Sequence, residues 1–459
     1  MSRISEFLWD RGFFFNNIPK NRRGLLEIWP WLEDKQRAHV LELFKRLPKN
    51  VILRSYKNDP FMQNFMLNGW EYARGLARLE SKPWNISLPI ADVCNARCVF
   101  CTSWLEGKDF LPLEKIEAFK EVLKTTRLFG LAGHGEPCTH PHFKEMLLVF
   151  KRFLDPRCHG YIITNGVKLE PFIKDLFDAR IKTFNISLNA SDSLTHEKVM
   201  GLGTEAFEKV VNNILLIRDY ALQNNITYPY LVSISMVVTR DNIHQIEDFI
   251  QLGLRLKVSS VYFKTLAGQT SADLPGLNYH LLPPYLHPDF PRLLIQAKHA
   301  INLNREKLKI VADINSWAIP IFPLEVEEHL RNNPPTFISR EQAIKDKELR
   351  KVYRNESKYH FKSRGAFVEK ILDDDGENPF GRHPRYPCAS VYSNLYINDF
   401  SYRMVPCCYM GQVPGHQPII WDGSYDFMLA WNSEAMVNLR SRLLSGPLFR
   451  MCSRCPTKY

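Results

Sequence analysis

The 459-residue sequence has no run of 18 consecutive apolar residues, the length a membrane-spanning helix needs. Its longest apolar-rich stretch, residues 229–238, is broken by Ser233 and Ser235 and suits a buried strand. Internal repeats and low-complexity tracts are absent. The N-terminal stretch carries Arg3, Glu6, Asp10 and Arg11, so it lacks the uncharged core of a secretory signal, and a cytoplasmic protein is expected. With 45% hydrophobic and 24% charged residues, the chain is neither disordered as a whole nor fibrous.

The formal net charge is +11. Residues 1–83 contribute heavily, with 15 basic against 9 acidic side chains. This balance permits an acidic partner, but it equally describes a basic soluble enzyme. The 10 cysteines are grouped rather than scattered. Cys94, Cys98 and Cys101 form one set; Cys388, Cys407, Cys408, Cys452 and Cys455 form another. Cys138 and Cys158 stand apart and read as packing residues. Clustered thiols in a reducing compartment point to metal rather than to disulfides.

Four regions are expected. Residues 1–83 read as a helical N-terminal extension, dense in aromatics such as Phe7, Trp9, Phe13, Trp29 and Trp31. These rings either dock a membrane or partner, or pack onto the next domain. Residues 84–266 alternate between period-2 and period-3.6 patterns, giving six βα units and hence an α/β fold with a parallel sheet, a partial (β/α)6 barrel. Residues 267–385 form an irregular connecting region with a charged helix near 340–352. Residues 386–459 form a small cysteine-rich α+β domain.

The first expected strand ends in CNARCVFC, or Cys94-x3-Cys98-x2-Cys101, with Phe100 before the last cysteine. Three thiolates on one short loop can hold three irons of a [4Fe–4S] cluster and leave the fourth iron open; a zinc site or a chance grouping is the alternative. This motif after a first strand resembles the radical SAM superfamily. The resemblance extends through residues 84–266. AGHGEP at 132–137 resembles the family's GGEP motif, with His134 in place of its first glycine, followed by Gly135, Glu136 and Pro137. TNG at 164–166 contains Asn165. SLNA contains Ser187 and Asn189, and VVTRDN contains Val238 and Asn242. Each motif falls at a strand's C-terminal end, the face on which barrel enzymes carry chemistry. The resemblance implies that the cluster binds S-adenosylmethionine, and that Phe100, Gly135, Glu136, Pro137, Asn165, Ser187, Asn189, Val238 and Asn242 surround these cofactors. His134, with Lys264 and Tyr262, is a candidate catalytic base; His140 and His142 read rather as the start of a helix.

Cys388, Cys407 and the Cys452-x2-Cys455 pair could ligate a zinc ion or an iron–sulfur cluster. YINDFSYRMVPCC resembles the hairpin of the twitch and SPASM domains of radical SAM enzymes, although Tyr402 stands where that pattern has glycine. Five cysteines fit the short twitch form, which implies a second, auxiliary [4Fe–4S] cluster on Cys388, Cys407, Cys452 and Cys455. Pro406 matches the family's Pro-Cys and assigns Cys407 as the ligand. Cys408 is then a buried thiol or a hydrogen-atom donor.

The expected activity is reductive cleavage of S-adenosylmethionine to a 5′-deoxyadenosyl radical and hydrogen abstraction from an unactivated C–H. The resemblance to twitch enzymes points to a sugar or aminocyclitol as the small-molecule substrate, undergoing dehydrogenation, dehydration or epimerisation. A flavodoxin- or ferredoxin-like donor would supply the electron. A peptide- or protein-modifying maturase is the alternative enzyme. A non-catalytic iron–sulfur or zinc protein that binds nucleic acid is the alternative of another class, but no nucleic-acid motif is present.

Overall fold

The computed structural model describes residues 29–32, 34–101, 104, 109–133, 135–226, 231–266, 283–318, 388–397, 403–407 and 419–445. Strands β1 (Asn85–Leu88), β2 (Leu128–Leu131), β3 (His159–Thr164), β4 (Ile181–Ser187), β5 (Leu231–Val238), β6 (Ser260–Thr265) and β7 (Lys309–Ala312) pair in sequence order, every pair parallel. The connecting helices run from α4 (Leu113–Ala118) and α5 (Lys120–Leu123) through α6 (Phe143–Phe153), α7 (Ile173–Asp178), α8 (Ser193–Met200), α9 (Glu205–Gln223) and α10 (Ile246–Leu256) to α11 (Phe290–Asn304). This mixed α/β order with a parallel sheet fits a partial barrel. The six expected strands are joined by β7 beside β6. On the other side, β8 (Asn394–Ile397) pairs in parallel with β1, and β9 (Arg403–Val405) and β10 (Ile419–Ile420) add antiparallel edges. The described C-terminal strands therefore continue the main sheet, and the Asn85 side chain donates to Asn394 Oδ1 at 3.0 Å across the join.

Alternation along the strands separates two faces. In β4, Phe184 and Ile186 are fully buried toward the helices, whereas Asn185 and Ser187 point the other way and stay partly accessible. In β5, Ile234, Met236 and Val238 are fully buried. Ser233, Ser235 and Val237 share the inner face with Tyr262 and Lys264 of β6, their register partners being Ser235 with Tyr262 and Val237 with Lys264. The inner face is therefore lined largely with hydroxyls and amides.

Helices α1 (Asp34–Arg46), α2 (Lys49–Ser55) and α3 (Pro60–Arg74) precede the sheet. Helix α3 has both of its ends specified: Asp59 accepts from Met62 N at 3.2 Å, Pro60 opens the first turn, and Gly75 closes it at φ +63°. These helices lie across the N-terminal ends of the strands. Asn68 receives Trp84 Nε1 at 3.1 Å and donates to the Tyr392 carbonyl at 2.6 Å, just ahead of β1 and β8. Buried Arg127, just ahead of β2, stacks on Phe65 at 4.0 Å. Arg157, ahead of β3, pairs with Asp59 through both oxygens at 2.6 and 2.8 Å. Trp29 is buried and stacked on Tyr72. The aromatic residues at 7–15 and the expected helix near 340–352 lie outside the described residues.

After the short helix α12 (Ser390–Ser393), helices α13 (Phe427–Trp431) and α14 (Glu434–Ser445) dock against the same base. Arg440 is fully buried and donates to the carbonyls of Ala77, Val391 and Trp431, each at 3.0 Å. Its guanidinium also lies over the Trp431 ring at 4.6 Å, so a charge that burial would penalise is spread over a planar set of acceptors.

Candidate functional site at the mouth of the sheet

At the C-terminal end of β1 the chain continues through Ala91 and Val93 into the three-cysteine loop. The loop after β2 is laced to this segment. Gly135 N donates to Ala91 O at 3.0 Å, Glu136 N to Val93 O at 2.9 Å and Thr139 Oγ1 to Val93 O at 3.0 Å. A β-carbon at Gly135 would lie 2.3 Å from Ala91 O and 2.6 Å from Val93 O, so only glycine permits this approach.

The cysteine loop is held from its other side by the last turn of α8. Arg97 N donates to Met200 O at 2.7 Å and Val99 N to Val199 O at 3.0 Å. Gly201 then turns away at φ +60° beneath Arg97 O. Phe100 and Val99 pack on Leu266 beside Val237, which carries the loop over the inner face toward β5 and β6.

Cys94, Cys98 and Cys101 are half-buried. Burial, with the charges of Glu136 and Cys101 nearby, pushes the Cys94 thiol up to about 11. Burial together with Cys101 and Cys94 raises the Cys98 thiol well above its ordinary value. A nearby cation would favour the thiolate forms of Cys94 and Cys98 against this burial. Among the described residues no three His, Cys, Asp or Glu side chains converge on a single-ion site. Three soft thiolates close enough to interact, on a loop clasped from both sides, are a donor set that fits an iron–sulfur cluster.

The polar residues at the following strand ends form a connected layer. Glu136 is 2% exposed, and burial raises its carboxyl above the usual range. It accepts from Cys138 N at 3.2 Å, Thr164 Oγ1 at 2.7 Å and Asn165 N at 2.7 Å, so it ties the ends of β2 and β3 together. Asn165 Nδ2 reaches Asn95 Oδ1 in the cysteine loop at 2.8 Å. Asn189 adopts φ +61° and accepts from Val237 N at 2.8 Å. Its carbonyl receives Asn242 Nδ2 at 3.0 Å, and that side chain also accepts from Thr239 N at 2.7 Å.

The structure brings Phe100, Gly135, Glu136, Pro137, Asn165, Ser187, Asn189 and Asn242 to this one end of the sheet. The Val238 side chain instead faces the helix-side core with 0% exposure, and Val237 is the β5 residue that packs with Phe100 on Leu266. The alternation of β5 carries that signal, because Val238 shares its phase with Ile234 and Met236. Met200, Asn95 and Thr164 were not expected at the site; only Gly201, marking the end of α8, hints at Met200. His140 is buried, with Nε2 facing Leu111 O at 3.0 Å and Nδ1 accepting from His142 N at 3.0 Å, a structural role at the start of α6. Cys138 and Cys158 are buried. His134, Cys408, Cys452 and Cys455 lie outside the described residues.

Cys388 and Cys407 are half-buried and pack on the main core. Cys388 precedes β8 and Cys407 follows its antiparallel partner β9, in which Tyr396 faces Val405. Both therefore stand at the open end of the hairpin, on the base of the parallel sheet, opposite the Cys94 loop.

Residues 88–253 match the model of the Radical SAM superfamily. The cofactors of such a domain are a [4Fe–4S] cluster and S-adenosylmethionine. Among curated proteins, the chain is similar to the molybdenum cofactor biosynthesis protein moc-5 of Caenorhabditis elegans, 29% identical over 36% of this chain and 27% of that protein. It is also similar to the GTP 3′,8-cyclase of Thermodesulfovibrio yellowstonii, 29% identical over 27% of this chain and 41% of the cyclase. The FeMo cofactor biosynthesis protein NifB of Chlorobaculum tepidum is 22% identical over 50% of this chain and 59% of that protein. The chain thus spans between about a quarter and 59% of the length of these relatives. Among solved structures, Streptococcus suis SuiB bound to S-adenosylmethionine aligns with 92% of this chain and 83% of its own at 12% identity, with a TM-score of 0.48. No helix among the described residues is long and apolar enough to cross a membrane.

Proposed function

We propose that the protein is a radical SAM enzyme whose three-cysteine loop, clasped over the polar inner face of the partial barrel, delivers a radical to a substrate held beneath it. The carrying observation is the loop itself: Cys94, Cys98 and Cys101 share one short loop whose backbone is held by the end of α8, while Phe100 lays it across the mouth toward β5 and β6. When bound, the [4Fe–4S] cluster and S-adenosylmethionine supply a 5′-deoxyadenosyl radical by one-electron reductive cleavage, the electron coming from a flavodoxin- or ferredoxin-like donor. Cys94, Cys98 and Cys101 would hold the cluster. Gly135 lets the backbone of the β2 loop lie flush with the β1 segment, and Asn165, Ser187, Asn189 and Asn242 offer amide and hydroxyl groups around the remaining coordination space. The apolar cover of Phe100, Val99, Val237 and Leu266 excludes water from this side.

The relatives do not support the sugar or aminocyclitol expected from the sequence. We take the substrate to be a polar molecule bearing an acidic group. Lys264 stands on the inner face with its side chain exposed at the mouth, and it has no hydrogen bond or ion pair among the described residues. Such an exposed, unpaired ammonium is a ready partner for an anionic group. The similarity to a GTP 3′,8-cyclase, whose named substrate is a nucleoside triphosphate, agrees with this. At the base of the sheet, Cys388 and Cys407 with Cys452 and Cys455 would hold an auxiliary cluster.

The test is anaerobic reconstitution of the full chain with iron and sulfide, then assay of 5′-deoxyadenosine release under dithionite, beside a Cys94→Ala/Cys98→Ala/Cys101→Ala variant. Release by the wild type alone supports the reading. Release by both proteins, or by neither despite bound iron, overturns it.

A further inference from the structure

The thioether of Met200 touches the cysteine loop directly. Met200 Sδ lies 3.5 Å from Cys98 Sγ and accepts a hydrogen bond from Asn189 Nδ2 at 3.0 Å. The Met200 carbonyl receives Arg97 N at 2.7 Å, so the side chain is fixed at both ends of its own residue. Met200 itself is 1% exposed. As a thiol, Cys98 can donate to this sulfur; as a thiolate it has no hydrogen to give, and a thioether has none to return. The Asn189 amide, which meets the same thioether, donates to Met200 and to the Ser187 carbonyl at 3.3 Å, while Asn189 Oδ1 is held by Val237 N.

Hydrogen bonds to the sulfurs of an iron–sulfur cluster stabilise its reduced, more negative state and move its potential upward. We propose that Met200 is a positioning residue that withholds a hydrogen bond from Cys98 and sequesters the Asn189 amide, holding the cluster on this loop at a low potential. A low potential is what a strongly endergonic one-electron reduction of a sulfonium requires. The inference rests on the reading of Cys94, Cys98 and Cys101 as cluster ligands.

The experiment is an EPR-monitored redox titration of the reconstituted full chain, comparing wild type with Met200→Leu, Met200→Gln and Met200→Lys; iron content and thermal unfolding check that each folds and loads. Leucine keeps the volume and offers no donor, so its midpoint should stay with the wild type. Glutamine and lysine each place a donor against Cys98 and should move the midpoint to more positive values, with a loss in the rate of 5′-deoxyadenosine release at fixed reductant. Midpoints unmoved in the donor variants overturn the proposal. A shift in Met200→Leu equal to theirs also overturns it, by showing that packing alone is at stake. Loss of iron from both donor variants while Met200→Leu loads normally overturns it too, since the role would then be assembly. A wild type with no four-iron signal sinks instead the reading on which the inference rests.

Discussion

Asn165 Nδ2 donates to Asn95 Oδ1 across 2.8 Å, joining the end of β3 to the residue that follows Cys94. The same Asn165 is held through its backbone N by the buried carboxylate of Glu136 and through its Oδ1 by Val167 N at 3.1 Å. Its orientation is therefore set before any cofactor arrives, and the loop after β1 is aligned by the ends of β2 and β3 rather than by its own short sequence.

Asn165→Ala should remove this alignment at the cost of about 1 kcal/mol in global stability, the net worth of one such bond. The effect on the site should be larger than on the fold. Thermal unfolding should move by only a few degrees, while iron retained after desalting and the affinity for S-adenosylmethionine should both fall. Equal loss in Asn165→Ala and in a surface control such as Leu222→Ala would show that the bond has no local role.

Gly135→Ala tests the close approach of two backbones. The added carbon meets carbonyl groups on Ala91 and Val93, not the far end of a flexible side chain, so the loops must separate. A destabilisation of about 1–3 kcal/mol is expected, as for other forced overpacking. Denaturant unfolding reads it directly, and S-adenosylmethionine binding should weaken further than stability alone explains.

His196 sits in α8, the helix whose end grips the cysteine loop. It is fully buried, neither ring nitrogen has a partner among the described residues, and burial pushes its pKa down to about 4. The unfolded chain binds the proton more tightly than the folded one between the ordinary value near 6.5 and about 4. Stability is then full above pH ~6.5, falls as the pH drops through that window, and levels off below the folded value. The total is on the order of 3 kcal/mol. His196→Leu should leave stability at pH 7 little changed and should flatten this part of the profile. Parallel pH profiles for the two proteins would show that the imidazole is not the titrating group.

Much of this layout is legible in the sequence. The period-2 runs over β4, β5 and β6 and the helical run 205–223 locate the sheet and its helices, and the ordered motifs at the strand ends locate the mouth. What is illegible depends on contacts between distant segments. Val237 and Val238 look alike as letters and differ only in which face of β5 they occupy. Nothing in the run VMG says that Met200 meets Cys98, because that contact is created by the turn of α8 back over the β1 loop. The placement of α1–α3 across the base depends on Arg127, Arg157 and Asn68 meeting residues far away in the chain. Their aromatic density gives no hint of which end of the sheet they cover.

The last prediction uses the distance between the two cysteine groups. Cys94 follows the C-terminal end of β1, whereas Cys388 and Cys407 flank the open end of the β8–β9 hairpin, at the N-terminal end of the same parallel strands. A strand advances about 3.3 Å per residue, so at least a strand's length of packed core separates the groups. Substitutions at one should leave the other's local structure intact. Cys388→Ala/Cys407→Ala should lower the iron content of the reconstituted protein by about half, the share of one of two similar clusters. It should retain 5′-deoxyadenosine release under dithionite, because the Cys94 loop, its clasp by α8 and the Glu136–Asn165 layer are untouched. Unchanged iron content, or zinc in its place, would remove the auxiliary cluster from the proposal while leaving the chemistry at the mouth standing.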